Sequence, residues 1–349
     1  MSVRTVAPVG LLVGISLLVV LAGCATSSSA SRGSGMPAWY LDPAGVYPDQ
    51  TYLAAVGSGG SRRAAEEQAF ASLASIFEVD IAVSQEIQER YQEIVSPEGT
   101  FSDEEILFTQ TTNLRAAQRL LNVQLGEAAV DNLGRVYIIA YLERMPTGRI
   151  YQDLIEKNGR QISTLLNRAD DTNDLIRRYA LTSAAAVIAT SNEVLIQQLR
   201  IIAPMLSQVT MLNYDYAAIQ DQLVELSNEM RTVVTIANDP GQRVEALVRE
   251  GLTAERFPIS ETDPVLFISG SLSLEPIQLN RDFESVRWVL TLAMASADGR
   301  ELVRVNQQGR SSGITEEAAI SAAYRDVGDL IRRGFIGEMR RYLDRLVTG

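Results

Sequence analysis

Histidine is missing from all 349 residues, cysteine occurs once, at Cys24, and lysine once, at Lys157. Without histidine there is no Ser-His-Asp or Cys-His nucleophile system, and a lone thiol builds neither a Cys/His zinc site nor an intrachain disulfide. Enzymatic chemistry would be left to carboxylate, tyrosine, lysine or serine side chains. Positive charge is also scarce. Lys+Arg is 31 against Asp+Glu 43, a formal net charge of −12, so no broad positive field exists to hold DNA or RNA, and no nucleic-acid partner is expected. Arginine supplies every basic side chain but one, which reads as codon bias because the arginines show no unusual spacing. What remains is globular: 46% of residues are hydrophobic and 21% charged, in a chain long enough for two ordinary domains.

The N-terminus carries Arg4, then an apolar run from Val9 to Leu21, then Ala22, Gly23 and Cys24. That is the charged n-region, apolar h-region and small-residue cleavage site of an export signal. Leu21-Ala22-Gly23-Cys24 also resembles the bacterial lipobox at all four positions, which implies a diacylglyceryl group on the Cys24 thiol and cleavage between Gly23 and Cys24. An uncleaved spanning helix is the alternative, since residues 6–23 approach the ~18 that a bilayer requires, but Pro8, Gly10 and Gly14 weaken it as a helix. The expected membrane partner is therefore the lipid bilayer, reached through acylated Cys24. Ala25 stands where an aspartate retains some lipoproteins in the inner membrane, so the outer membrane is the expected location. No later stretch reads as a membrane span, and residues 36–349 are expected to be soluble and exposed to the periplasm.

The rest reads as an α+β protein, two small mixed α/β modules joined by a helical middle after a lipoprotein signal peptide. The expected boundaries are 1–23 for the signal peptide, 24–35 for a flexible Ser/Gly-rich tether, 36–150 for the first module, 151–230 for a helical connector and 231–349 for the second module. In the first, residues 52–56 read as a strand and Gly57-Ser58-Gly59-Gly60-Ser61 as a turn, with Ser61 capping a helix whose Ala65, Ala69, Leu73 and Ile76 form one face. Residues 121–130 and 136–142 flank the turn sequence Asp131-Asn132-Leu133-Gly134 and read as a hairpin. The middle gives helical patterns over 175–189, 194–206 and 214–230. In the second module the order reads β-α-β-β-β-α. Val286, Trp288, Leu290, Leu292 and Met294 alternate as a half-buried strand should, and Ala319, Ala323, Val327, Ile331, Phe335 and Met339 form the stripe of the last helix. At this size the second module is expected to fold alone. Ser61 with Ala65, Ala69, Leu73 and Ile76 lines up with Thr315, Ala319, Ala323, Val327 and Leu330, a match that any alanine-faced helix on a sheet would also give.

The lipobox, Pro37-x-Trp39, Tyr52-Leu53-Ala54-Ala55-Val56-Gly57-Ser58-Gly59, the alanine-spaced helix and Gly134-Arg135-Val136-Tyr137-x-x-Ala140 together resemble the bacterial envelope lipoproteins of the LPP-twenty family. The likeness covers roughly 36–150, and the same elements are similar to the N-terminal domain of the flagellar T-ring/H-ring assembly protein. The second module is loosely similar, in topology, to periplasmic modules of the curli secretion lipoprotein and of the lipoprotein activator of penicillin-binding proteins. The resemblance implies a structural or assembly role without catalytic residues or cofactors.

Candidate sites are few. Ser61, Arg62 and Arg63 open a helix after a strand, where free backbone N–H groups favour an anion, although the sequence fits neither nucleotide-binding glycine motif. Arg62 and Arg63 also stand at i,i+4 from Glu66 and Glu67, and ion pairing is the favoured reading. Trp39 and Tyr40 read as a core anchor rather than a sugar-stacking platform. Glu66/Glu67, Asp103/Glu104/Glu105, Asp170/Asp171 and Glu316/Glu317 are adjacent in sequence, so their side chains diverge, whereas paired hydrolytic carboxylates must face one another at ~5–10 Å. The expected function is therefore that of a non-catalytic, lipid-anchored envelope protein whose partners are other envelope proteins, itself included. No metal or cofactor is expected. The alternative is a periplasmic lipoprotein that binds a glycan fragment or an anion near Trp39 and Arg62.

Overall fold

The computed structural model describes residues 35–77, 85–95, 120–277 and 283–348. Gly23, Cys24, the tether and Asp103, Glu104 and Glu105 lie outside the described residues. After a single helical turn, α1 (Ala38–Leu41), the first module lays down β1 (Tyr52–Gly59), α2 (Arg62–Ser75), α3 (Gln85–Val95), β2 (Gln124–Val130) and β3 (Val136–Glu143). The sheet order is β1-β3-β2, antiparallel throughout, with Gly59 opposite Val136 and Val130 opposite Val136 on the other side. Helix α2 packs across β1 and β3. It buries Ala65, Ala69 and Leu73 as their spacing requires, but the helix stops at Ser75, leaving Ile76 exposed and giving its core position to Phe77.

Strand β1 is longer than the sequence suggests. It continues through Gly57, Ser58 and Gly59, so only Gly60 and Ser61 make the turn into α2. The reason is steric. A Cβ on Gly57 would lie 2.8 Å from the Ala69 Cα and closer still to the Ala69 nitrogen and the Ala65 carbonyl. Glycine there, facing alanine on the helix, lets α2 lie directly on the strand.

The helical middle begins at Arg144, directly after β3, so the boundary drawn at 150 falls inside a helix. It comprises α4 (Arg144–Asp170), α5 (Leu175–Ile202), α6 (Pro204–Val209) and α7 (Tyr216–Glu229). The expected break near residue 190 does not occur. Helix α5 is long and apolar enough to span a bilayer, contrary to the expectation that no such stretch follows the signal, with a mean hydropathy of 1.3 in its most apolar window; two thirds of that window is buried in the fold. It is a core helix. Tyr151 and Ile155 of α4 and Ile196, Leu199 and Ile202 of α5 complete the core of the first module, whereas Ile162, Leu165, Ile176, Leu181 and Ile188 join that of the second. Between the two sets lie Asn158 and Asn192, both fully buried. Asn158 Nδ2 donates to Asn192 Oδ1 at 3.1 Å and Asn158 Oδ1 accepts from the Tyr91 hydroxyl at 3.1 Å, while Asn192 Nδ2 donates to the Ile155 carbonyl and to the Tyr214 hydroxyl. This polar tie separates two hydrophobic cores carried on the same pair of helices. Replacing Asn192 by alanine strands the buried Asn158 amide and unpairs the half-buried Tyr214 hydroxyl, and should cost roughly 1–3 kcal/mol, the penalty of one unsatisfied buried group. Urea unfolding of the variant checks this.

The second module contains β4 (Thr232–Ala237), α8 (Arg243–Ala254), β5 (Leu266–Ile277), β6 (Glu284–Ser296), β7 (Glu301–Gly313), α9 (Glu316–Leu330) and α10 (Ile336–Thr348). Its sheet order is β4-β5-β6-β7, with β4 parallel to β5 and the rest antiparallel. A five-residue π-turn, Ile331–Phe335, joins α9 to α10. Apolar residues at every fourth position drift around an α-helix by about 40° per step. The wider turn takes up that drift, and Ala319, Ala323, Val327, Ile331, Phe335 and Met339 all remain buried.

The alignment of the two alanine-faced helices extends into three dimensions. Ser61 and Thr315 each accept a hydrogen bond from the amide three residues on, at 3.2 Å in both cases. Gly59 and Gly313, each two residues before the cap, press against Ala64 and Ala318 respectively. Helix α2 lies across β1 and β3, and α9 across β7 and β6; the orders β1-β3-β2 and β7-β6-β5 therefore match, with the hairpin following the strand-helix pair in the first module and preceding it in the second.

Candidate functional site

The sequence candidates converge on one pole of the first sheet, where β1 ends, β3 begins and α2 starts. Ser61 has extended backbone angles and its Oγ caps the Ala64 amide. Arg62 Nε donates to Glu66 at 2.8 Å and Arg63 Nε to Glu67 at 2.9 Å. Both guanidinium groups are thus held along the helix by the i,i+4 spacing, on well-exposed side chains, and such exposed pairs are worth ~0.3–0.5 kcal/mol. Ser61, Arg62 and Arg63 form a capped helix start with two surface ion pairs; Gly57 and Gly59 before them serve helix packing.

The adjacent hairpin turn adds residues that sequence reading passed over. Asp131 accepts from the Leu133 and Arg135 amides at 2.9 and 2.8 Å and from the Tyr137 hydroxyl at 3.0 Å. The Arg135 amide, helped by the Tyr137 hydroxyl and the Leu133 amide, holds the Asp131 carboxyl below its ordinary range; burial and the bond to Asp131 push the Tyr137 phenol up. The Arg135 guanidinium donates to Ser58 Oγ at 3.1 Å, with no carboxylate among the described residues within ion-pairing distance. Ser58 is buried, and its amide donates to Gln68 Oε1 at 2.7 Å. Tyr40 stands edge-on to Tyr137 with ring centroids 4.9 Å apart and also meets Trp39. Trp39 and Tyr40 are half-buried and belong to neither hydrophobic core, so the anchor expected from their sequence sits at the surface of the sheet.

At the other end of β1, Arg144 is the residue least visible from sequence. Its amide donates to Thr51, its Nε to the carbonyls of Asp49 and Tyr52, and its Nη1 to the carbonyls of Ile201 and Ile202 at 2.8 and 3.0 Å. A guanidinium at the C-terminus of α5 satisfies carbonyls that the helix leaves open. Burial lowers its pKa from the usual arginine value. Of the other adjacent acids, Glu316 and Glu317 are exposed in the first turn of α9, and Asp170 and Asp171 at the end of α4. Two surface concavities lie away from this pole. One, about 620 Å³, separates α8 from α9, where Arg243 stacks 3.8 Å over Tyr324; the other, about 460 Å³, lies against Arg287, Gln308 and Arg310 on the second sheet.

The fold is α+β, and part of the chain matches a family of lipoproteins. Residues 37–143, the segment that builds the first sheet and α2, match the profile of the LPP20 lipoprotein family. Among solved structures, the secreted protein HP1454 from Helicobacter pylori is 13% identical, with 81% of this chain and 96% of that one covered at a TM-score of 0.42. A minor lipoprotein from Acinetobacter baumannii (12% identical, 32% and 93% covered, TM-score 0.27) and the rare lipoprotein B from Shewanella oneidensis (20% identical, 34% and 91% covered, TM-score 0.20) also match. No match was found among curated proteins.

Proposed function

We propose that this lipoprotein is held in the outer membrane by an acylated Cys24, faces the periplasm and acts through protein–protein contacts without catalysis. The observation that carries the reading is the LPP20 match beginning at residue 37, shortly after the lipobox Leu21-Ala22-Gly23-Cys24. Support for a non-catalytic role comes from composition, since the chain has no histidine and its only thiol is the one to be acylated. The partner surface is assigned to the second module. Strand β7 ends its sheet, runs for 13 residues and exposes Arg304, Asn306, Gln308 and Arg310, and an open strand edge recruits partners by strand addition. Envelope proteins, a second copy of this chain included, are the partners expected.

Two measurements test this. Cys24→Ser should move the protein from the detergent-rich to the aqueous phase on partitioning; retention in the detergent phase would support a spanning N-terminal helix instead. Crosslinking in intact cells followed by mass spectrometry should recover defined envelope proteins through residues of β7. Recovery only through the first module would move the binding surface there.

A further inference from the structure

We propose that the pole of the first sheet formed by the β2–β3 turn and the start of α2 rests on the lipid surface, with Leu133 in the apolar boundary layer. The proposal deepens the anchored reading and rests on acylation of Cys24. Single exposed apolar residues are ordinary on protein surfaces, but a cluster at one place is informative. Leu133 is 94% exposed at the hairpin tip, and Met36 and Val130 are each 48% exposed. They belong to one pole. Val130 pairs with Val136 directly beside the turn, and Tyr40, four residues after Met36, packs on Tyr137.

What covers this surface is decided by the chain that leads to it. Gly35 stands eleven positions after Cys24, and eleven chain steps reach at most about 40 Å when fully extended. The pole where residue 35 enters is therefore the part of the body kept nearest the bilayer. A second exposed apolar group, Met205, Val209, Met211 and Leu212, sits on and after α6. Ala203 and Leu206 pack on Gly148 near the start of α4, beyond the far end of β3, so the length of β3 separates that group from the β2–β3 turn.

The chemistry around Leu133 suits the same occupant. Trp39 and Tyr40 have an apolar body and a polar edge, the combination that collects at membrane–water boundaries. Arg62 and Arg63 are exposed beside the turn, and Arg135 directs its guanidinium at the Ser58 hydroxyl, with no carboxylate among the described residues at ion-pairing distance, which leaves it suited to a lipid phosphate. Contact at this pole would stand the second module, with its open β7 edge, away from the bilayer.

Once acylated, Cys24 has no free thiol, so a cysteine placed elsewhere takes a single nitroxide label. The acylated full chain carrying Leu133→Cys, Met211→Cys or Ile314→Cys is labelled and reconstituted in vesicles of phosphatidylethanolamine and phosphatidylglycerol. All three positions are more than four-fifths exposed, so the labels leave the core untouched. At 133 the label should lose most of its collisions with a polar nickel chelate and gain collisions with oxygen, while labels at 211 and 314 stay open to the chelate. A label at 133 as open as that at 314, or shielding at 211 instead, overturns the proposal. Intact mass separates the two layers of the argument: a chain without acyl mass overturns the anchoring reading and the contact together, whereas an acylated chain with an open 133 label overturns the contact alone.

Discussion

Gly57→Val should destabilise the first module by at least ~3 kcal/mol, because the new side chain has nowhere to go. Overpacking usually costs about 1–3 kcal/mol when flexible side chains can move aside. Here the obstructing atoms are backbone, the Ala69 nitrogen and Cα and the Ala65 carbonyl. Relief requires α2 to lift off β1, which uncovers Leu73 and the buried faces of Ile138 and Leu142. The neighbouring Gly60 supplies the control, since a Cβ there meets nothing within 4 Å and Gly60→Ala should change stability by no more than ~0.5 kcal/mol. Urea titration of both variants, followed by circular dichroism, separates the cases. Equal midpoints for Gly57→Val and Gly60→Ala would mean that the helix does not need the glycine.

The same glycines show where sequence reading reached its limit. Residues with a simple period were legible: Val286, Trp288, Leu290, Leu292 and Met294 alternate and are all buried in β6, and Ala319 to Met339 repeat every fourth residue and face the core. Gly57, Ser58 and Gly59 were not, because glycine before a helix cap signals a turn as readily as a strand pressed under a helix, and only the partner surface decides which. Asn192 lies in the gap left between the helical patterns of 175–189 and 194–206, yet the helix runs through it and its amide is satisfied by Asn158, Ile155 and Tyr214, three partners that no local pattern announces. Arg144 was invisible for the same reason, since the carbonyls it binds lie about 57 and 95 positions away in sequence. At the candidate pole, the pairing of Arg62 and Arg63 with Glu66 and Glu67 followed from helical spacing. Leu133 gave no signal, because a leucine inside a turn sequence carries no information about what the turn faces.

Trp288→Ala should remove ~3–5 kcal/mol, the cost expected for deleting a buried aromatic side chain, and its consequences should reach both modules. Trp288 is 8% exposed. Its ring covers Gly309 on the neighbouring strand, where a Cβ would fall 2.6 Å from Cε2, and its Nε1 donates to Ser311 Oγ at 3.1 Å, while Ser311 in turn donates to Asp326 of α9. The indole thus joins β6 to β7 by packing and to α9 through one hydroxyl. Trp288→Phe should be milder, by contrast, because it keeps most of the ring and loses a bond worth ~1 kcal/mol. With Trp288 removed, Trp39 is the only tryptophan left, so fluorescence then reports the first module while far-ultraviolet circular dichroism reports helices throughout. Because α4 and α5 carry the two cores on opposite halves of the same helices, loss of the second core should fray the helices that complete the first, and the two signals should fall together at a lower urea concentration. A Trp39 transition that stays at its original midpoint while the helical signal drops earlier would show instead that the Asn158–Asn192 tie insulates one core from the other.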